Sequence, residues 1–381
     1  MNKELIQLES ENKGDPKITF VNKTFKMNRN SVFKKYLIDT GWREAESCER
    51  PQLSHWDHHP NSNPGGEEKV DGDINLFPSS ATNCIDNICY HFKRVREKGL
   101  TEGFPINFSE WRNLDKETID SSPIWFLKCS WGSHGRGITL ISNWEEYQDA
   151  VKTIPKRGIS LISPSGDLEQ YMESYIMQRG LCNCHLYKER KYILRVYYLV
   201  LGNGAIFVYD DALGYAHAKP FDKKNKEWAV HVSHINIPGK DTVKDDRIYF
   251  TLSDQSFGED IMIKIVEHSK THMKILQDTI LLSQDNPDPN KRINHKNYHL
   301  WGADYLVLDD NGKLSVCFIE LNAYPNMSHN APRRGGKIQQ NEMDFRKGGF
   351  DRDMLRRMGL EKQDLIKNKW IEILEPLQSK S

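Results

Sequence analysis

The sequence has no run long and apolar enough to cross a bilayer. Its most apolar stretch, YILRVYYLVLGNGAIFVY, is interrupted by Arg195 and a Gly-Asn-Gly turn. Net charge is missing as well: 53 basic side chains balance 53 acidic ones, so no overall field draws the chain to nucleic acid or an anionic membrane. The seven cysteines, at 48, 84, 89, 129, 182, 184 and 317, include no CxxC pair, which argues against a zinc site. Several lie in apolar strand-like runs, where a free thiol acts as a small hydrophobe, and a reducing compartment fits them. Internal repeats and low-complexity tracts are absent. The start, MNKELIQLESENKGD, lacks the apolar core of a signal peptide and the Arg-rich look of a transit peptide, so a cytoplasmic protein is expected.

What is present is an ordinary soluble composition, 38% hydrophobic and 28% charged over 381 residues, enough for two or three domains. A polar tail covers residues 1–14. A first domain over 15–121 holds the strand KITFVNKTF, the helix SVFKKYLIDTGW with its stop at Gly41, and the helix CIDNICYHFKRVREKG. Between them, HWDHHPNSNPGGEEKVDGD reads as a solvated loop. Its His55, His58 and His59 have no carboxylate or cysteine fixed beside them. Residues 122–200 begin with a strand, a glycine-bearing loop and a strand in IWFLKCSWGSHGRGITLI, followed by the helical NWEEYQDAVKTI and the extended DLEQYMESYIM. The strand pair RKYILRVYYLVLGNGAIFVYDDA leads into residues 201–381. There the sequence predicts one helical stretch over about 255–283, a hairpin in LWGADYLVLDDNGKLSVCFIELN, and a basic segment whose end is helical. His268 and His272 have the spacing of a zinc pair without the glutamate of HExxH, and a helix surface is the expected setting.

The hairpin ends in polar residues where a core strand should stay apolar. Its turn, DDNGK, fits a three-residue loop, Asp310-Asn311-Gly312, with Gly312 left-handed. That register sets Asp304 opposite Phe318, on one face with Glu320 and Asn322; a two-residue Asn-Gly turn would send Asp304 to the other face. Two carboxylates and an amide at one sheet end suit Mg2+, a hard cation shared with phosphates. The same residues also fit rim salt bridges. Upstream, Lys128 closes an apolar strand and Gly132, Gly135 and Gly137 follow, a pattern able to neutralise and cradle phosphates but equally that of simple turns. It is not a Walker A loop, which needs Gly-Lys-Ser/Thr opening a helix.

Lysine, glycine loop and downstream Asp…Glu-x-Asn together resemble the ATP-grasp fold. More narrowly, the chain resembles the tubulin–tyrosine ligase-like family over about residues 17–330. The resemblance rests on Lys128 with GRGI at 135–138, EQYM at 169–172, KYILRVYYLV at 191–200, HVSH at 231–234, and LWGADYLVLDD with IELNAYP. It implies an α+β (α/β) architecture: two ATP-grasp lobes clasping ATP, at 122–200 and 201–381, beside a smaller amino-terminal α/β domain. Asp304, Glu320 and Asn322 would hold Mg2+, with Asp304 also on the nucleotide side. Lys128 and Lys191 would contact phosphate and sugar, under the loop Gly135, Arg136, Gly137 and Ile138. Glu169, Gln170, Tyr171 and Met172 would form the adenine hinge. Arg195 and Glu320 would be catalytic, with Arg195 facing the reacting groups, and Tyr215, Lys219, His231, Ser233 and His234 would lie on the acceptor side. For Lys191 and Arg195 the alternative is a solvated strand face, although an arginine amid YILRVYYLV calls for an anionic partner.

The implied activity is ATP- and Mg2+-dependent amide-bond formation on a protein or peptide carboxylate through an acylphosphate. Free tyrosine, glutamate or glycine would be the donor and tubulin tails candidate acceptors, with cytoskeletal association to match. The chain departs from the family pattern on the acceptor side. Ile193 replaces an aspartate, Tyr215 stands where an arginine grips a substrate carboxylate, NCID replaces a basic pair, and Ser233-His234 replaces Thr-Asn. Hence a catalytically silent ATP- or microtubule-binding protein and a small-molecule carboxylate–amine ligase are the alternatives. The basic segment with APRRGGK, Arg346, Lys347, Arg352, Arg356 and Arg357 fits either an acidic peptide tail or a solvated helix.

Overall fold

A computed structural model describes residues 18–22, 32–44, 52–55, 74–78, 82, 86–130, 137–156, 159–162, 168–171, 175–232, 247–288, 292–323, 325, 345, 349–360 and 368–377. The chain opens with three short parallel strands, β1 (Ile18–Asn22), β2 (Arg43–Glu44) and β3 (Leu53–His55), in the order β2-β1-β3. Helix α1 (Val32–Asp39) lies between the first two in sequence. It stops as its glycine predicts. Gly41 has a φ of 91°, and the Trp42 N–H turns back to the Leu37 carbonyl at 2.9 Å.

Strand β4 (Asn75–Leu76) and helix α2 (Ile88–Glu97) follow, the helix capped by Asn87 accepting from the Tyr90 N–H at 3.0 Å. Next come β5 (Asn107–Phe108), α3 (Lys116–Asp120), β6 (Trp125–Cys129), β7 (Ile138–Ile141), α4 (Trp144–Thr153), the pair β8 (Ile159–Ile162) and β9 (Leu168–Tyr171), and β10 (Tyr175–Arg179). Four of these strands make an antiparallel sheet, β5-β10-β6-β7. One face of it buries Trp125, Leu127 and Met177 against Ile119 of α3 and Tyr147 and Ala150 of α4. The alternate residues, Phe126 and Lys128, turn to the opposite face.

The second sheet is larger. It is built from β11 (Tyr192–Leu201), β12 (Ile206–Ala216), β13 (Ile248–Thr251), β14 (Asn297–Asp310) and β15 (Lys313–Asn322) in the order β13-β12-β11-β14-β15. β4 adds to β14, and β16 (Trp370–Leu374) adds to β12. A short helix α5 (Trp228–His231), the helices α6 (Gly258–His272) and α7 (Lys274–Gln284), and α8 (Phe350–Arg357) complete the elements used here.

Alternation along β11 explains both faces of this sheet. Tyr192, Leu194, Val196, Tyr198 and Val200 enter the main core with Ile88 and Phe92 of α2, Ile261 and Ile265 of α6, and Ile275 and Ile280 of α7. On the other face Tyr197 and Leu199 pack with Phe33, Leu53, Phe350 and Trp370, so α1, β3, α8 and β16 cover that half. The end carrying Lys191 and Ile193 faces the four-stranded sheet across the cleft.

Several expectations are corrected. The boundaries at 121 and 200 do not follow the sheets: β5 at 107–108 pairs with β10, and β11, which runs to 201, belongs to the large sheet. The helical stretch over 255–283 breaks at Met273, the shared cap of α6 and α7. His268 is half-buried at the helix surface, but His272 is not on a surface at all. His272 is completely buried, with its ring 4.7 Å from those of His268 and Phe318. The segment after α8 ends in strand β16 rather than helix, because β12 offers it an edge. Arg356 and Arg357 are not a solvated face either: Arg356 is buried against Asp353, and Arg357 donates to the Trp370 carbonyl. Arg346, Lys347, APRRGGK, His58 and His59 lie outside the described residues.

Candidate active site

The hairpin turn is shorter than its sequence suggested. Asp310 pairs with Lys313, leaving a two-residue loop in which Asn311 and Gly312 have φ of 57° and 88°. Alone, that turn would send Asp304 to the wrong face. The pairing instead slips between Tyr305, opposite Phe318, and Asp304, opposite Glu320. The extra residue is Ile319, a β-bulge that restores the alternation. Asp304 and Glu320 therefore share a face after all, and Asn322, opposite Gly302, shares it too.

Arg195 occupies the neighbouring position on β11, directly opposite Asp304. Its Nε donates to Asp304 Oδ1 at 2.5 Å and its Nη2 to Oδ2 at 3.1 Å, a two-pronged pair. Gly302 makes room for it, since a Cβ there would stand 2.9 Å from Arg195 Cδ and 2.7 Å from Pro325 Cβ. Burial pushes the Asp304 carboxyl up to about 6; the Arg195 charge pulls it down and Glu320 beside it pushes it up again. For Arg195 burial opposes the charge, but the Asp304 charge and hydrogen bond outweigh it and raise the guanidinium's proton affinity.

Across from this row stand two lysines. Lys128 and Lys191 are buried, at 9% and 3% exposure, and their Nζ atoms lie 5.9 and 5.6 Å from the centre of the same Phe126 ring. Among the described residues neither forms a salt bridge. Burial lowers the Lys128 pKa; Glu320 and Asp304 raise it, and Lys191 lowers it further. Between the two sheets opens a cleft that brings together Lys128, Lys191, Asp304, Glu320, Ile138 and His231. Its far wall is held by α5 and the residue after it, where Trp228 and Val232 pack on Phe126, Ile138 and Leu140.

The other expected residues fall into three groups. His231 lines the cleft; its Nε2–H donates to the Asn225 carbonyl, so Nδ1 is left as an acceptor, and burial lowers its pKa. Tyr215 is on the same sheet face but beside the cleft, its ring 5.3 Å from Tyr249, and Lys219 is exposed and paired with Glu227 at 2.5 Å. Gly137, with φ 76°, and Ile138 carry the end of the glycine loop, whereas Gly135, Arg136, Met172, Ser233 and His234 lie outside the described residues. Glu169, Gln170 and Tyr171 belong to β9, which pairs with β8. Sequence reading missed Phe126 and Gln178 in the wall and Asp86 near Glu320. Phe126 was within reach, because it sits two residues before Lys128 on a strand and must share its face.

The donor set fits Mg2+ by chemistry. It offers two carboxylates and the amide oxygen of Asn322 on one strand face, all hard oxygen donors. Among the described residues there is no group of three or more His, Cys, Asp or Glu side chains that could hold a metal ion. In the comparisons with known proteins, the model of the tubulin-tyrosine ligase family matches residues 66–336. No curated protein matches the chain individually. The matched span takes in the four-stranded sheet, all of the large sheet but β16, and every residue named in the cleft, and the chain belongs to the tubulin-tyrosine ligase family.

Proposed function

We propose that this protein is an ATP-dependent ligase that joins an amino acid to a carboxylate of a protein or peptide. Two buried lysines without ion-pair partners among the described residues, facing two carboxylates across an open cleft, carry the reading. Burying an ammonium group without an anion is costly, so the site is built for one to arrive. A triphosphate supplies it. Lys128 and Lys191 would bind the phosphates, and Asp304, Glu320 and Asn322 would hold Mg2+. The ion would supply charge neutralisation for the transferring phosphoryl group.

A carboxylate resists an amine because its oxide is a poor leaving group. Phosphoryl transfer from ATP turns that oxygen into phosphate, and the amine then displaces it to form the amide. In this reading Arg195, next to Asp304 on the neighbouring strand, would meet the reacting carboxylate and phosphate. In the family reading the work is positioning plus electrostatics. Ile193 and Tyr215 favour a second reading, nucleotide binding without ligation, because the cleft floor is apolar where the family carries an aspartate.

Mass spectrometry of tubulin and candidate peptides incubated with the protein, ATP, Mg2+ and pooled amino acids tests the proposal. Added residue masses that vanish with Glu320→Gln, at unchanged melting temperature, are expected. Nucleotide binding with no added mass would favour the second reading, and ligation surviving in Glu320→Gln would remove the metal assignment.

A further inference from the structure

Strand β15 is an edge of its sheet, so the outward backbone groups of its last residues need partners from elsewhere. Two such partners come from one stretch, residues 86–103. The Phe318 N–H donates to the Gly103 carbonyl at 2.7 Å, and the Ala323 N–H donates to Asp86 Oδ1 at 2.8 Å. These two bonds bracket the segment that contains the Ile319 bulge, Glu320 and Asn322. The Ala323 carbonyl is held as well, by the ring N–H of His299 Nε2. Ala323 itself is 1% exposed, so its N–H has no recourse to water. Gly103 reaches its position with a φ of 75° and no Cβ, which would stand 2.4 Å from His268 Nε2.

We infer that Asp86 is a positioning residue: its hydrogen bond to Ala323 fixes where Glu320 and Asn322 present their oxygens. It stands immediately before the Asn87 cap of α2, a helix whose buried side chains anchor it in the main core. A carboxylate anchored by one sheet's core thus sets the free end of its edge strand. Mg2+ requires near-octahedral oxygens at short distance, whereas Ca2+ tolerates a looser set. Loss of the bond must therefore act on metal discrimination more than on stability.

The inference rests on the metal reading above, and calorimetry on the full chain separates the two. The probes are the Mg2+ and Ca2+ complexes of a non-hydrolysable ATP analogue. Asp86→Ala is expected to weaken the Mg2+ complex about tenfold or more, as loss of an outer partner does at metal sites, and the Ca2+ complex by about twofold or less. Asp86→Asn keeps the oxygen and should stay within about threefold of the native protein for both. If Asp86→Ala does not fold, Asp86→Ser supplies the same comparison, its hydroxyl being one atom short of the amide. Equal losses for the two metals, no loss, or an Asp86→Asn variant as weak as Asp86→Ala would overturn the inference alone. A native protein that binds neither complex would overturn the metal reading and the inference with it.

Discussion

His91 sits in the core with its ring 5.1 Å from Phe318 and 5.9 Å from Phe92, and burial pushes its pKa down to about 4. In the unfolded chain it titrates near 6.5. Below that value the unfolded state binds a proton that the folded state refuses, so stability falls as pH drops from about 6.5 towards 4. His272, also buried, is shifted in the same direction. Denaturant unfolding at pH 7 and pH 5 should show His91→Leu losing roughly 2 kcal/mol less than the native protein over that interval. An equal loss in both would remove His91 as the source. His272 was legible only as half of a spacing, with His268. HSKTH fits a metal pair or a wet helix face, and the burial that decides between core and surface comes from Phe104 and Phe318, which are distant in the chain.

At the scale of elements, the turn before β11 is strained. Lys188 and Glu189 both have positive φ, 49° and 60°, between reciprocal bonds of Tyr187 and Arg190 at 2.9 and 3.0 Å. Such a turn favours Asn and Gly, and side chains with a Cβ cost of order 1 kcal/mol each there. Lys188→Asn combined with Glu189→Gly should raise stability by roughly 1 kcal/mol in denaturant melts, with nucleotide affinity unchanged because Lys191 keeps its place. A fall in stability would mean that the two side chains make contacts worth more than the strain. The strands themselves were readable, since YILRVYYLVL, LWGADYLVLDD and SVCFIELN carry their alternation openly. Their offset was not. The hairpin turn was read one residue too long, and the Ile319 bulge cancels the error on the face shared by Asp304, Glu320 and Asn322. No local pattern announces that bulge; it is pinned by the Gly103 carbonyl, more than 200 positions upstream.

At the scale of the molecule, two sheets meet and the cleft lies between them, with the short helix α5 at its far wall. Much of that was accessible through the ordered motifs, because the residues of the site fall at strand ends where polar side chains interrupt apolar runs. The cover over the rest of the large sheet was not. It depends on α8 and β16, whose sequences read as a basic tail. Trp370 shows what that cover is worth: fully buried, it packs 5.3 Å from Tyr209 and 5.0 Å from Phe350, and its indole N–H donates to the Phe350 carbonyl at 3.1 Å. Trp370→Ala should cost about 3–5 kcal/mol, read as a lowered melting temperature, while molecules that remain folded bind nucleotide as before. Unaltered melting would show that the strand is not part of the cooperative unit.

One sheet therefore gathers strands from Asn75 to Leu374. On the ribosome, the Ile206–Tyr209 end of β12 emerges more than 150 residues before β16, the strand that borders it there, so that edge waits through many seconds of synthesis. Chaperone demand during translation, rather than lifetime once folded, is where this architecture is most exposed.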